Sequence, residues 1–169
     1  MSEEQNSTPA AALPPVLTVA EVMTKKIHCV DPEMTVRHAI GLLLEHKISG
    51  APVCDSSRKV MSVVSEGDLL KLAATVGMEK SIFQCMSKLK KKAELLTVSE
   101  KDSFAALYKM FLTHSVHRII VVDQMGRLEG LVSRSNILRV LAGEKGDSSK
   151  IEAPKAETEA PPAKKAKSA

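Results

Sequence analysis

Aromatic side chains are nearly missing: they make up 2% of the 169 residues, with no Trp, one Tyr and three Phe. Any core is therefore aliphatic, and single-stranded nucleic acid finds few rings to stack on. Cysteine is scarce too. Cys29, Cys54 and Cys85 are an odd number without a C-x-x-C pair, a count that indicates neither a disulfide framework nor a zinc site and suits a reducing compartment. No run of 18 apolar residues occurs, so no membrane-spanning helix is expected. The first residues carry Glu3 and Glu4 and lack the basic-then-apolar layout of a signal peptide, which makes a cytoplasmic protein the expectation. His28, His38, His46, His114 and His117 show no H-E-x-x-H or similar spacing, so no metal site is expected. With no nucleophile–base pair evident, neither an enzyme nor a resident cofactor is expected.

What is present is ordinary in bulk and unusual in order. Hydrophobic residues reach 44%, normal for a globular chain. The net charge is +4, and from Glu144 onward six Lys nearly balance five acids. The centre is thus mildly basic, enough to favour an anionic ligand but weak grounds for DNA binding.

The stretch Val63-Val64-Ser65-Glu66-Gly67-Asp68-Leu69-Leu70 has an echo in Leu131-Val132-Ser133-Arg134-Ser135-Asn136-Ile137-Leu138. Each reads as the end of a buried strand, a capping serine and a helix start. The helix amides attract phosphate, and the Asp68 carboxylate lies where it could accept hydrogen bonds from a sugar diol. The plainer reading is a capping box that only starts a helix.

Around each stretch the same order recurs. Thr18 opens a short helix to about Met23, residues 27–30 lean to strand, and Asp31-Pro32 breaks them. Thr35 caps a helix to about Lys47 with an apolar stripe of Val36, Ala39, Ile40, Leu43 and Leu44. Strands follow at 53–54 and 60–64, and a helix runs from Glu66 to about Ala74. In the second copy Ser103 caps a helix over 104–114, strands are expected at 119–122 and 128–132, and a helix over 134–141. His46 and His114, Val53 and Val121, Asp55 and Asp123, and Ser65 and Ser133 are all offset by 68. Upstream, Met23-Thr24-Lys25 matches Met86-Ser87-Lys88 at an offset of 63, which leaves five extra residues at 89–93. Such a duplication is one unit used twice. Three short strands and two helices are too small to stand alone, so the copies should pack on each other and create two related clefts.

This doubled pattern resembles the CBS domain pair, or Bateman module. The carrying residues are Val22-Met23-Thr24, Ile48-Ser49-Gly50-Ala51-Pro52-Val53 and Val63-Val64-Ser65 with Asp68; then His117-Arg118-Ile119-Ile120-Val121-Val122-Asp123 and Gly130-Leu131-Val132-Ser133 with Asn136. The surroundings of His46-Lys47 and His117-Arg118 are similar to the regulatory subunit of AMP-activated protein kinase. The resemblance implies an α/β (α+β) fold of two tandem repeats with pseudo-twofold symmetry. It divides the chain into a disordered lead-in (1–16), repeat one (17–78), repeat two (79–142) and a disordered Ala/Lys/Glu/Pro tail (143–169).

It further implies a stand-alone regulatory module that binds AMP, ADP, ATP or S-adenosylmethionine between the repeats, forms a homodimer and relays occupancy to a regulated protein. Carried over residue by residue, Ser65, His46 and Lys47 would face phosphate and Asp68 the ribose. Thr24, Ile27, Ala51, Pro52 and Val53 would frame the base, and His117, Arg118, Ser133 and Asn136 would serve the second cleft. The second copy departs from the pattern: Asn136 replaces Asp and loses its charge, Ser115 stands at the place of Lys47, and Ile120 replaces Pro52. One competent cleft dominated by repeat one is expected, although Ser62, where repeat two has Gly130, should crowd its backbone. The competing expectation is a scaffold or nucleic-acid-associated protein with vestigial clefts.

Overall fold

The structure, a computed structural model, describes residues 17–89 and 95–144. The expected lead-in, the lysine run at 90–92 and the tail from 145 lie outside the described residues.

Repeat one contains α1 (Val19–Val22), α2 (Val36–Glu45), β1 (Gly50–Cys54), β2 (Val60–Ser65) and α3 (Glu66–Thr75). A 3₁₀ helix (Phe83–Lys88) leads to β3 (Thr97–Val98), α4 (Phe104–Thr113), β4 (Arg118–Val122), β5 (Leu128–Ser133) and α5 (Arg134–Leu141). The helices start where the caps require. Oγ1 of Thr35 accepts from the His38 amide, and Oγ of Ser103 from the Ala106 amide. Each hairpin is antiparallel, Gly50 opposite Ser65 and Arg118 opposite Ser133, and each shifts register at the equivalent step, Val53/Cys54 and Val121/Val122.

The third strand is unequal between the copies. β3 runs parallel to β4 over Thr97 and Val98, whereas repeat one has a single bridge from Val30 to Val53. In repeat two the Ile120 amide donates to the Leu96 carbonyl at 3.3 Å. The equivalent residue of repeat one is Pro52, which has no N–H to extend the ladder.

The cores are completed crosswise. Val19, Val22 and Met23 pack with Phe104, Leu107, Ile119, Val132 and Ile137 of repeat two. Ile82, Cys85 and Leu89, around the 3₁₀ helix, pack with Val36, Leu43, Val53, Val64 and Leu69 of repeat one. Backbone bonds repeat this exchange. The Val19 amide donates to the Asp102 carbonyl at 2.9 Å and Phe104 to Leu17 at 2.8 Å; Ile82 donates to Met34 at 2.8 Å and Val36 to Lys80 at 2.9 Å. A third apolar layer of Cys54, Val60, Ile120 and Leu128 lies between the repeats. Its hairpins are tied by Val60 N–H to Gly126 O (3.0 Å) and Leu128 N–H to Arg58 O (2.9 Å).

Close approach explains one glycine. A Cβ on Gly130 would lie 2.5 Å from Met23 Sδ and 3.1 Å from the Thr24 carbonyl oxygen. The equivalent Ser62 is accommodated, fully buried, in repeat one.

Ile82 tests the exchange. It is fully buried, and removing most of a buried aliphatic side chain costs about 2–5 kcal/mol. Ile82→Ala should lower unfolding stability in urea by that amount. A loss below about 1 kcal/mol would mean the segment is not part of the repeat-one core.

Candidate functional site

The two serine turns are built alike. The Ser65 amide (2.9 Å) and its hydroxyl (2.5 Å) donate to Asp68 Oδ2, and the Asp68 amide returns a bond to Ser65 Oγ at 3.2 Å. Ser133 and Asn136 form the same box, with Asn136 Oδ1 accepting at 2.8 and 2.7 Å. Both turns therefore satisfy the first orphan amides of a helix. The caps stand in either reading, so what surrounds them decides the chemistry.

Those surroundings differ. Asn136 is 7% exposed, and its Nδ2 donates to Thr24 Oγ1 at 3.5 Å. Thr24 is itself buried, and its backbone pairs in both directions with Leu131 at 2.9 and 3.0 Å. Thr24 was expected to frame a base with the repeat-one residues; the crosswise lead-in sets it against the repeat-two turn instead. Asp68 is only half-buried, and its hydrogen bonds among the described residues all use Oδ2. The counterpart of Thr24 on that side is Ser87, which is exposed.

Charge also differs. The first turn of α3 holds Glu66 and Asp68, while that of α5 has no acid and begins with Arg134. A cation from the other repeat is seated beside this turn. Arg118 donates from Nη1 to the Gly50 carbonyl (3.1 Å) and from Nη2 to Ser49 Oγ (2.5 Å). A Cβ on Gly50 would sit 3.2 Å from Ser65 Cα and 3.3 Å from Arg118 Nη1. Its tightest contact would be the cross-strand Val64 carbonyl oxygen at 2.9 Å, so glycine at position 50 lets the hairpin close and also leaves room for the guanidinium beside the Ser65 turn. Arg118, expected at the second cleft, is placed at the first.

The remaining expected residues are dispersed. Ile27 packs on the layer between the repeats. Ala51 and Val53 point into the repeat-one core, because alternate residues of a strand face opposite sides; what β1 can offer a cleft is Pro52 and backbone. The carbonyl of Pro52 is taken by the Val30 amide at 2.9 Å. Lys47 is exposed with φ 51°, the left-handed residue that ends α2. His117 is exposed, and its carbonyl accepts from the Arg134 amide at 3.3 Å.

His46 is exposed and stacks on His28 with ring centroids 3.5 Å apart. Burial, then His46 and Lys26, hold His28 below the usual imidazole range, so His28 adds little positive charge at neutral pH. Sequence reasoning missed three participants: His28, Ser49 and Gly50 as the seat of Arg118. The offset of 68 pairs Gly50 with Arg118, and equivalent residues near a pseudo-twofold axis meet; that signal was available. Among the described residues no helix is long and apolar enough to cross a membrane, and no group of three or more His, Cys, Asp or Glu could hold a metal ion.

Comparison with known proteins agrees with this architecture. The CBS domain pattern matches residues 19–75 and again 80–143. The CBS domain-containing protein CBSX1, chloroplastic, of Arabidopsis thaliana is 34% identical over an alignment 150 residues long, gaps included, that covers 73% of this chain and 64% of that protein. This chain therefore spans somewhat under two thirds of CBSX1. The crystal structure of Arabidopsis CBSX2 in complex with AMP superposes with a TM-score of 0.63 at 28% identity, covering 75% of this chain and 96% of that one. The CBS domain of a bacterial CNNM/CorC family Mg2+ transporter in complex with ATP gives a TM-score of 0.63 at 26% identity, covering 75% and 88%. Two matched repeats, exchanged lead-ins and paired serine turns make this chain a member of the CBS domain family, carrying the domain twice.

Proposed function

We propose that this chain is a regulatory module that binds an adenine nucleotide, AMP first among them, in the cleft at the Ser65–Asp68 turn, and relays occupancy to a partner protein. The observation that carries this reading is the half-buried Asp68. One of its carboxylate oxygens closes the helix cap, and the other is left to accept from a ribose diol. Arg118 reaches the same turn from repeat two and offsets the acids for a phosphate. At the other turn the amide of Asn136 is committed to Thr24. CBSX2, whose solved chain this one covers almost completely, is described in complex with AMP, and the related transporter domain with ATP. Binding chemistry of this kind has no need of a nucleophile, and we propose no catalytic step.

Relay requires that the nucleotide prefer one arrangement of the repeats or of an assembly. Large side chains left outward follow the internal symmetry. Leu44 and Leu112 are each 69% exposed, and Leu70 and Leu138 are 74% and 64% exposed; each pair is offset by 68. Two equivalent helix faces with outward leucines suit a second copy of the chain, and we place the homodimer there.

Ligand binding is read as a melting shift. A nucleotide at about 100 times its Kd stabilises by about 2.7 kcal/mol, or roughly 5–10 °C for a chain of this size. AMP should give such a rise, Asp68→Ala should remove it, and Asn136→Ala should leave it. Asp68→Ala also loses a capping bond, so the rise and not the melting temperature itself is compared. An unchanged rise in Asp68→Ala would end the assignment of the site.

The assembly is tested by sedimentation velocity. Leu70→Glu with Leu138→Glu should convert a dimer to monomer while the circular dichroism spectrum stays the same. A parent chain that is already monomeric at tens of micromolar, roughly the range of weak specific interfaces, would remove the homodimer.

A further inference from the structure

The repeats differ most sharply where their hairpin turns meet. Gly126 takes the left-handed position of the second turn at φ 78°, and Arg58 takes the equivalent position of the first at φ 64°. A side chain there costs roughly 1–2 kcal/mol relative to glycine, and strain of this kind persists only where its surroundings enforce it. The Arg58 side chain is put to use. Its Nη2 donates to the Leu128 carbonyl at 3.4 Å, and its charge acts on both Cys29 and Cys54. On the opposite half, Thr97 and Val122 stand where the cysteines are. With glycine at that turn, the corresponding space is a cavity of about 380 Å³ lined by Leu95, Thr97, Val122 and Met125 among others. One half of a near-symmetric layer is filled by an arginine and two sulfurs, and the other is open.

The two cysteines are held together by backbone. Val30 bridges to Val53, and the Cys54 amide donates to the Val30 carbonyl at 3.1 Å. Val30 and Val53 point into the repeat-one core; Cys29 and Cys54, one residue to either side, turn to the layer between the repeats. Each thiol acts on the other. The neighbouring Cys54 thiol, helped by Arg58 and opposed by burial, brings the Cys29 thiol down to about 7. The Cys29 thiol and burial push Cys54 up. Cys29 is thus the readier thiolate, and Cys54 the partner that keeps its proton. Cys85 lies apart, buried in the repeat-one core.

We propose that Cys29, paired with Cys54 and faced by Arg58, is a redox-modification site that a peroxide converts to a reversible Cys29–Cys54 disulfide. The Cys29 thiolate attacks one oxygen of hydrogen peroxide; the O–O bond breaks, and the departing hydroxide takes a proton to become water. Sulfur–oxygen bond formation leaves a sulfenic acid on Cys29. The Cys54 sulfur then attacks the Cys29 sulfur, the S–S bond forms, and the S–O bond breaks as hydroxide leaves with the Cys54 proton as a second water. Two thiols lose two electrons and two protons, and the peroxide accepts them. The new bond would fasten residues 27–30 to β1, between Thr24 at one serine turn and Gly50 at the other.

The full chain, reduced and then treated with hydrogen peroxide, is unfolded in guanidinium, alkylated with iodoacetamide, digested and analysed by mass spectrometry. The expected product is one cross-linked peptide pair joining Cys29 to Cys54, with Cys85 alkylated and both thiols recovered by dithiothreitol. A Cys29 that stays free, that ends only as sulfinic acid, or that bonds to Cys85 or to another chain overturns the proposal. Arg58→Gly copies the residue at position 126 and relieves the turn, so it should fold. It should also slow alkylation of Cys29 at neutral pH severalfold, as a lower thiolate fraction requires. An unchanged rate would remove Arg58 from the site, and with it the proposal as stated.

Discussion

Two backbone crossings carry the architecture. The segments at Val19 and Ile82 each leave their own repeat and hydrogen-bond to the other, at Asp102 and Met34. Each then inserts its aliphatic residues where the host repeat would otherwise expose its core. A unit of this size buries too little to fold securely alone. By exchanging lead-ins, each copy borrows the missing apolar area from the other, and neither can shift without opening both cores. The turns at Ser65 and Ser133 inherit their geometry from that arrangement.

Near-identical turns end up with different chemistry because of what the crossing delivers to them. The lead-in ending at Thr24 arrives at Asn136 and closes on it. On the other side the matching segment presents Ser87, exposed, and the hydrogen bonds that Asp68 accepts among the described residues all use Oδ2. Arg118 crosses the axis to Ser49 and Gly50, so a residue far away in sequence is seated beside the Ser65 turn. Asymmetry in a duplicated chain therefore arises from a few positions, Thr24, Gly50, Asp68 and Arg118, and the scaffold around them is shared.

Much of the fold was legible in the residues themselves. Thr35, Ser65, Ser103 and Ser133 were expected to cap helices and do so, because a cap is a local device set by a hydroxyl and the next few amides. The constant offset of 68 gave the hairpins and their order. The shortened third strand of repeat one was less visible: Pro52 was read as part of a binding motif, and the missing N–H that cuts the ladder followed only from seeing its partner. Least legible was the exchange. A change of offset from 68 to 63 shows that the lead-ins are spaced differently from the rest, but periodicity has no way to say which core an amphipathic turn will enter. For the same reason Thr24 was grouped with the Ser65 turn although it meets Asn136, and the inward side chains of Ala51 and Val53 follow from strand alternation. His46 was singled out without the ring that stacks on it, since His28 is brought to it only by tertiary folding.

The crosswise completion of the cores also puts the repeat of the sequence and the unit of packing out of phase. Chain cut at the boundary of duplication, near residue 79, would part Ile82, Cys85 and Leu89 from the pocket they fill. A cut after Leu89 would leave residues 26–89 with every apolar piece of their own core, and would leave the second half wanting only the short strap at 17–24. Supplied as a free peptide, that strap is the natural candidate to restore it in trans, much as a split protein is rejoined by its missing fragment.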